Sequence, residues 1–288
     1  RVLRECLLAR RLAREIELLR GARCPVALLY SDASMLQVPP EAVRAGATPY
    51  SRALRRAYEA ARFLGVRCGF ITAAAAAARR WRGAKVVVVA GSPAEEDKVV
   101  RGLLDFVEPG GELVIIAESL VTDAHGRQAD YLARLGIEVL DTERPATRAD
   151  PRPERGGALD ELVEETLPAL RLNVARDGVL GRRGETIAAC GARQRIRVNV
   201  THEVLATYPD GSPAVVRFRR GKGWVTYFAA CPDQRSLSAA LSRILRLSGL
   251  APRIRLLDPD FDTWGIEWAS VRDGGRALLY LWNTTGEA

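Results

Sequence analysis

Histidine is scarce in this chain of 288 residues: His125 and His202 are the whole supply, too few for a histidine-rich metal centre. Lysine is nearly absent. Lys85, Lys98 and Lys222 stand alone among 43 basic residues, so arginine carries the net charge of +8. The arginines are spread along the whole chain, as compositional bias would place them. Arg217, Arg219 and Arg220 are the densest strand cluster, and neither an aromatic stacking platform nor a nucleic-acid motif accompanies them; no nucleic-acid partner is expected. The cysteines, at positions 6, 24, 68, 190 and 231, are odd in number and lack any Cys-x-x-Cys spacing. That argues against a disulfide framework or zinc site and for reduced thiols in a cytosol. No apolar run approaches the ~20 residues of a membrane span. No charged-then-apolar leader opens the chain. A cytoplasmic protein without membrane partner, metal or cofactor is the expectation.

What is present is ordinary globular composition, 48% apolar and 27% charged, enough for one large core or two smaller ones. Leu8, Leu12, Ile16 and Leu19 recur at helical spacing over residues 2–20, and Gly21 stops that helix. Val26 to Tyr30 reads as a buried strand, residues 50–64 as a helix closed by Gly65, and Val66 to Thr72 as a second strand. Lys85 to Ala90 is nearly all valine, the pattern of a strand covered on both faces. Ser92, Pro93 and Glu95 compose a helix start with a capping box, and that helix ends at Pro109-Gly110-Gly111. Glu112 to Ala117 is the next strand; a helix at about 126–135 stops at Gly136 before the strand Ile137 to Leu140. This alternation predicts an α/β fold, a parallel sheet with helices on both faces.

Residues 144–157 read as a loop or insertion and 159–171 as a helix. Strands follow near 195–200 and 203–208. Ala214 to Phe218 and Trp224 to Phe228 then form a hairpin about Gly221-Lys222-Gly223, followed by a helix at 236–248. Beyond Gly249 the pattern changes to short strands, Arg253 to Leu257, Ile266 to Val271 and Ala277 to Trp282. A turn at Asp273-Gly274-Gly275 joins the last two. That shift marks a small β domain beginning near 252.

Several pieces, in order, resemble β-galactosidase-type glycoside hydrolases (family 42-like), specifically their trimerisation domain with its class I glutamine amidotransferase-like fold. They are Val26-Ala-Leu-Leu-Tyr-Ser-Asp32, Leu64-Gly-Val66, Leu103-Leu-Asp-Phe-Val-Glu-Pro-Gly-Gly-Glu-Leu-Val-Ile115, Asp123-Ala-His-Gly-Arg127, the hairpin, Gly265-Ile-Glu-Trp268 and Leu278-Leu-Tyr-Leu-Trp-Asn283. The resemblance implies a flavodoxin- or amidotransferase-like sheet. It also divides the chain: 1–22 as the terminal helix of a preceding catalytic barrel, 23–251 as the trimerisation domain, 252–288 as the start of a C-terminal β domain. A homo-oligomer, a trimer, would follow, with a galactoside or other carbohydrate as the substrate of the parent enzyme.

Amidotransferase chemistry needs a cysteine in a glycine-flanked elbow after a central strand. The corresponding stretch here is Ile116-Ala-Glu-Ser-Leu-Val121. The family's His-Pro-Glu falls on Cys231-Pro232-Asp233, so Cys231 and Asp233 mark vacated triad positions and no catalytic residue is expected. A lone thiol at Cys231 should react slowly, near an ordinary pKa of about 8.5. Glu118, Ser119, Asp123 and His125 lie beyond the carboxyl end of a strand, where open α/β sheets bind ligands, and are the candidate ligand-binding group. Their competing reading is a polar loop in which Asp123 initiates a helix. His202-Glu203 reads as a strand-end pair, and Asp258, Asp260 and Asp262 as solvated carboxylates lacking the rest of an EF-hand. Trp264, Trp268 and Trp282 suit a sugar-stacking platform or, more commonly, packing against a neighbouring domain. Glycosidases of this kind act through two carboxylates on a barrel, which in the resemblance precede Arg1. The expected role is therefore a non-catalytic assembly domain. The alternative is a stand-alone amidotransferase-like protein binding a carbohydrate or other small ligand.

Overall fold

A computed structural model of the chain describes residues 10–21, 24–37, 49–144, 170–250, 264–274 and 276–283. The strand expected at Arg253 to Leu257, the loop around Pro39-Pro40, the segment from 145 to 157 and the three alternating aspartates lie outside the described residues. So does the helix expected at 159–171, except for its last two positions, which open a strand.

Five strands run parallel and side by side. β1 (Val26–Tyr30) lies between β2 (Cys68–Thr72) and β3 (Val86–Val89); β5 (Glu112–Ile116) and β13 (Gly223–Phe228) continue the row. Their order is second, first, third, fourth, fifth in the chain. β1, β3 and β5 are apolar almost throughout because both faces are covered, with Val86 to Val89 wholly inaccessible. The crossover from β1 to β2 steps one way along the sheet and the later ones step the other way. With right-handed connections, that puts the helices on opposite faces. α3 (Pro49–Arg62) packs with α6 (Gln234–Leu247), and α4 (Ala73–Ala77) with α5 (Asp97–Val107). The alanine run thus has a packing reason: a Cβ on Gly102 of α5 would sit 2.2 Å from the Ala76 carbonyl oxygen, and only side chains this small let the two helices approach so closely. Two further helices are α1 (Ala13–Gly21) and α2 (Asp32–Leu36), the latter capped by Ser31, whose hydroxyl accepts from the Ser34 N–H.

The rest of the ten-stranded sheet is antiparallel, so the sheet is mixed, and the expected hairpin belongs to a larger antiparallel half than the sequence indicated. β12 (Pro213–Arg220) pairs with β13 as the expected hairpin; β11 (Glu203–Thr207), β8 (Leu170–Val174), β9 (Thr186–Cys190) and β14 (Cys231–Pro232) follow outward. The described links between these strands are turns and loops, and parallel pairing needs a long crossover. Ala229 and Ala230 alone separate the end of β13 from β14, a reach of at most ~11 Å. β14 nevertheless pairs with β9, at the far edge. The antiparallel half must curl back on itself until its last strand meets the end of β13.

Two expected helices take other forms. Ser92 and Glu95 do share a side-chain hydrogen bond of 2.9 Å, but Ala94–Glu95 is a short strand, β4, and α5 begins only at Asp97. Pairing with β6 (Thr122–Asp123) and bonds from Ser31 and Ser34 to the Ala94 backbone hold the segment extended. The helix at 126–135 shrinks to a 3-10 turn, Ala133–Leu135. The Asp123 carboxylate accepts the N–H groups of His125 and Arg127 at 2.8 and 3.0 Å, folding that segment into a turn instead. β7 (Ile137–Glu143) pairs with β10 (Arg193–Val198) in a separate ribbon.

The chain's last described elements are the hairpin β15 (Ile266–Asp273) and β16 (Arg276–Asn283). It docks on the end of α3, where Arg62 bonds Glu267 at 2.6 Å and Phe63 meets Trp264 edge-on at 4.8 Å. Trp268 is buried over Gly65, whose φ of +66° and missing Cβ both suit glycine: a Cβ there would lie 2.1 Å from the indole. At least two of the three tryptophans therefore pack inward instead of forming an open stacking platform.

Candidate functional site

The carboxyl ends of β1, β3 and β5 are where a sheet of this strand order would hold a ligand. At the end of β5 the backbone turns sharply: Glu118 and Leu120 both adopt positive φ, +63° and +61°, uncommon for residues with a Cβ. The sharp turn is therefore made here without a glycine. Ser119, between them, points inward and is fully buried. Its hydroxyl donates to the Ile116 carbonyl at 2.6 Å and accepts from the Ser92 N–H at 3.2 Å.

The four candidate residues do not converge. Glu118 is half-buried, pairs with Arg144 at 2.7 Å, and its N–H reaches the Gln194 side chain at 3.4 Å. Asp123 is engaged with its own turn and with Arg127 at 2.7 Å. His125 is exposed. Ser119 touches neither Asp123 nor His125 in any recorded hydrogen bond, so no nucleophile–base–acid chain is formed. Among the described residues no group of three or more His, Cys, Asp or Glu side chains is placed to hold a metal ion, and no helix is long and apolar enough to cross a membrane.

Behind them lies a network the sequence reading passed over. Ser34 and Ser92 share a hydroxyl–hydroxyl bond of 2.9 Å, Ser31 and Ser34 both bond the Ala94 carbonyl, and Tyr50 accepts the Ser31 N–H at 2.7 Å. Glu95 ends this network fully buried, with one carboxylate oxygen held by Ser92 and the other making no hydrogen bond. Burial, opposed by the hydroxyls of Ser31 and Ser92, pushes its carboxyl up to about 7. The sequence signal was Ser92-Pro-Ala-Glu95 itself, which fits a buried hydrogen-bonded pair as well as a helix cap.

Of the two positions expected to mark a vacated triad, Asp233 caps α6, accepting from the Ser236 N–H at 3.0 Å and from its hydroxyl at 2.6 Å. Cys231 is not a lone thiol. Cys190 stands directly opposite it across the β9–β14 pair, and Arg56 of α3 reaches the Cys190 sulfur at 2.9 Å. The neighbouring Cys231 thiol, helped by Arg56 and opposed by burial, lowers the Cys190 thiol to about 7, while Cys190 and burial together raise Cys231 well above its ordinary value. The Cys231 thiol itself donates to the Pro232 carbonyl at 3.6 Å.

No protein-family model and no curated protein matches the chain. Solved structures do. The β-galactosidase of Bacillus circulans sp. alkalophilus superposes with a TM-score of 0.68 at 19% identity, over 91% of this chain and 36% of its own. The β-galactosidase of Rahnella sp. R3 gives 0.69 at 19%, over 91% and 36%. Gan42B, a GH42 β-galactosidase from G. stearothermophilus, gives 0.68 at 16%, over 96% and 38%. The chain therefore has the fold of one part of these enzymes and spans little more than a third of their length.

Proposed function

We propose that this chain is a non-catalytic assembly domain of a β-galactosidase-type glycoside hydrolase, shaping subunit association and the rim of an active site carried elsewhere in the parent protein. The observation that carries the reading is the near-complete coverage of this chain by about a third of each β-galactosidase. The internal engagement of Ser119 and Asp123 supports it, since groups already satisfied by the fold offer little to a substrate. On this reading the domain is amidotransferase-like with its triad vacated at Cys231 and Asp233, residues 1–22 end a barrel, and residues 252–288 begin a β domain. The parent is a cytoplasmic homotrimer acting on a galactoside. Glu118, Ser119, Asp123 and His125 then serve the fold of the rim. The isolated chain should leave a chromogenic galactoside unhydrolysed and sediment with the mass of three chains at micromolar concentration. Robust turnover would overturn the non-catalytic role, and a clean monomer would overturn trimerisation through this domain.

A further inference from the structure

The facing pair Cys190 and Cys231 has no part in the proposed assembly role: Cys231 packs against the edge of the core, and Cys190 stands opposite it beside Arg56. Asp233 donates its N–H to the Ala188 carbonyl at 3.0 Å, one pair beyond Pro232 and Ala189. Opposing residues in an antiparallel pair alternate in kind, so Cys231 and Cys190 occupy the same hydrogen-bonded kind of site as Asp233 and Ala188. There the Cα atoms lie roughly 5.5 Å apart. Pro232, which has no N–H, takes the intervening non-hydrogen-bonded position on an edge strand, where none is needed. A Cα separation of that size lies within the range found across disulfides, and side chains at opposed positions share a face. Closing the bridge must draw the Cβ atoms closer, a strain that makes the bond readily reduced. Both cysteines are free and part-exposed.

We propose that Cys190 and Cys231, with Arg56 beside them, form a dithiol site that hydrogen peroxide converts reversibly to a disulfide. The Cys190 sulfur attacks one peroxide oxygen and the O–O bond breaks. Two electrons pass from sulfur to peroxide, the leaving oxygen takes a proton and departs as water, and Cys190 becomes a sulfenic acid. The Cys231 sulfur then attacks Cys190; an S–S bond forms, the S–O bond breaks, and the Cys231 proton leaves with the hydroxyl as a second water. Two thiols and one hydrogen peroxide thus give one disulfide and two waters, and a thiol reductant reverses the change. Arg56 is a positioning residue: its guanidinium favours the thiolate, the form that reacts. The chain supplies its own contrast. Cys24 donates to the carbonyls of Val26 and Arg67 at 3.3 and 3.5 Å, and burial pushes Cys68 up to about 12, so those thiols should lag.

The test treats the whole 288-residue chain with substoichiometric hydrogen peroxide and maps its cysteines by mass spectrometry without reduction. The expected result is a Cys190–Cys231 peptide lighter by two hydrogens, formed before any other cysteine changes and abolished by dithiothreitol. The bridged protein should melt about 5 °C or more above the reduced one, because the cross-link restricts the unfolded chain. Iodoacetamide labelling of Cys190 should titrate near neutral pH in the wild type and move toward the ordinary value of about 8.5 in Arg56→Gln. In Cys231→Ser, oxidation should stop at a sulfenic acid trapped by dimedone. Bridges that pair Cys190 or Cys231 indiscriminately with Cys6, Cys24 or Cys68 would overturn the proposal. So would a wild-type pair left reduced by peroxide that oxidises a free thiol control.

Discussion

The parallel half of the sheet and the far strands of its antiparallel half solve the same burial problem in opposite ways. β3 presents four consecutive inaccessible valines, because helices cover both its faces. β8 and β9 bury alternate residues, Leu172 and Val174 and then Ile187 and Ala189, and leave the residues between them to solvent. The first half is rigidly specified by apolar mass. The second depends on curl, and therefore on the bonds at its seam with the first. One of those bonds is buried and ionic: Arg217 of β12 reaches across β13 to both oxygens of Glu112 on β5, at 3.0 and 2.9 Å, and stacks 4.4 Å from the Trp224 ring.

The largest effect should come from cutting that seam. Arg217→Met leaves Glu112 buried without its counter-charge and should cost about 3–5 kcal/mol in urea unfolding. Pairing it with Glu112→Met should recover most of the loss, since two apolar side chains need no counter-charge. A double variant as unstable as the single one would mean that the seam is held by something other than the ion pair.

The parallel half has a weakness of its own at Glu95. Its carboxyl is raised by burial from 4.5 to about 7 in the folded protein. The folded state therefore binds the proton more tightly. Stability is fully present below about 4.5 and lost as pH rises through about 7, by an amount on the order of 3 kcal/mol. Glu95→Gln, which cannot ionise, should flatten that fall when unfolding is followed from pH 4.5 to 8. Glu112, also raised by burial, adds a slope of the same sign, so the difference between variant and wild type is the diagnostic quantity. Identical slopes would place the Glu95 carboxylate in contact with water.

A smaller loss should follow in the helical layer. Gly102→Val places a side chain against the backbone of Ala76, where even a Cβ finds only 2.2 Å, and α4 and α5 must separate; about 1–3 kcal/mol is expected from thermal unfolding. No loss would mean that the two helices slide freely on the sheet.

Much of the parallel half was legible because its signals are local: the valine run, Gly21, Gly65 and the Pro109-Gly110-Gly111 stop each act within a few residues. Helix α6 and the hairpin β12–β13 were legible for the same reason. The curl was not. Whether Thr186–Cys190 pairs with Cys231–Pro232 depends on how six strands close in space, and nothing near Cys190 points to residue 231. The candidate site failed to converge for a related reason. Four polar residues close in sequence suggested one cleft, but a chain turning through two positive-φ residues sends Ser119 inward and leaves His125 outside. Glu95 was misplaced because a capping box and a buried Ser–Glu bond have the same sequence, and the competition between them is decided by Ser31 and Ser34, far away in the chain.

The mildest change tests how the two halves are joined through α6. Asp233 ends the curl at β14 and at the same time caps the helix that packs on α3 of the parallel half. Its carboxylate satisfies the Ser236 N–H, one of the donors that a helix leaves open at its first turn, and also accepts the Ser236 hydroxyl. Asp233→Ala removes both bonds, and caps of this kind are worth about 1 kcal/mol. Asp233→Asn keeps an oxygen in the same place and should restore most of that. Because the cap lies where β14 becomes α6, hydrogen exchange in the alanine variant should quicken at Ser236 and Leu237 without spreading to Val86–Val89. Exchange that quickened equally along β3 would show that the curl and the parallel half unfold as one unit, and that the seam at Arg217 is no boundary.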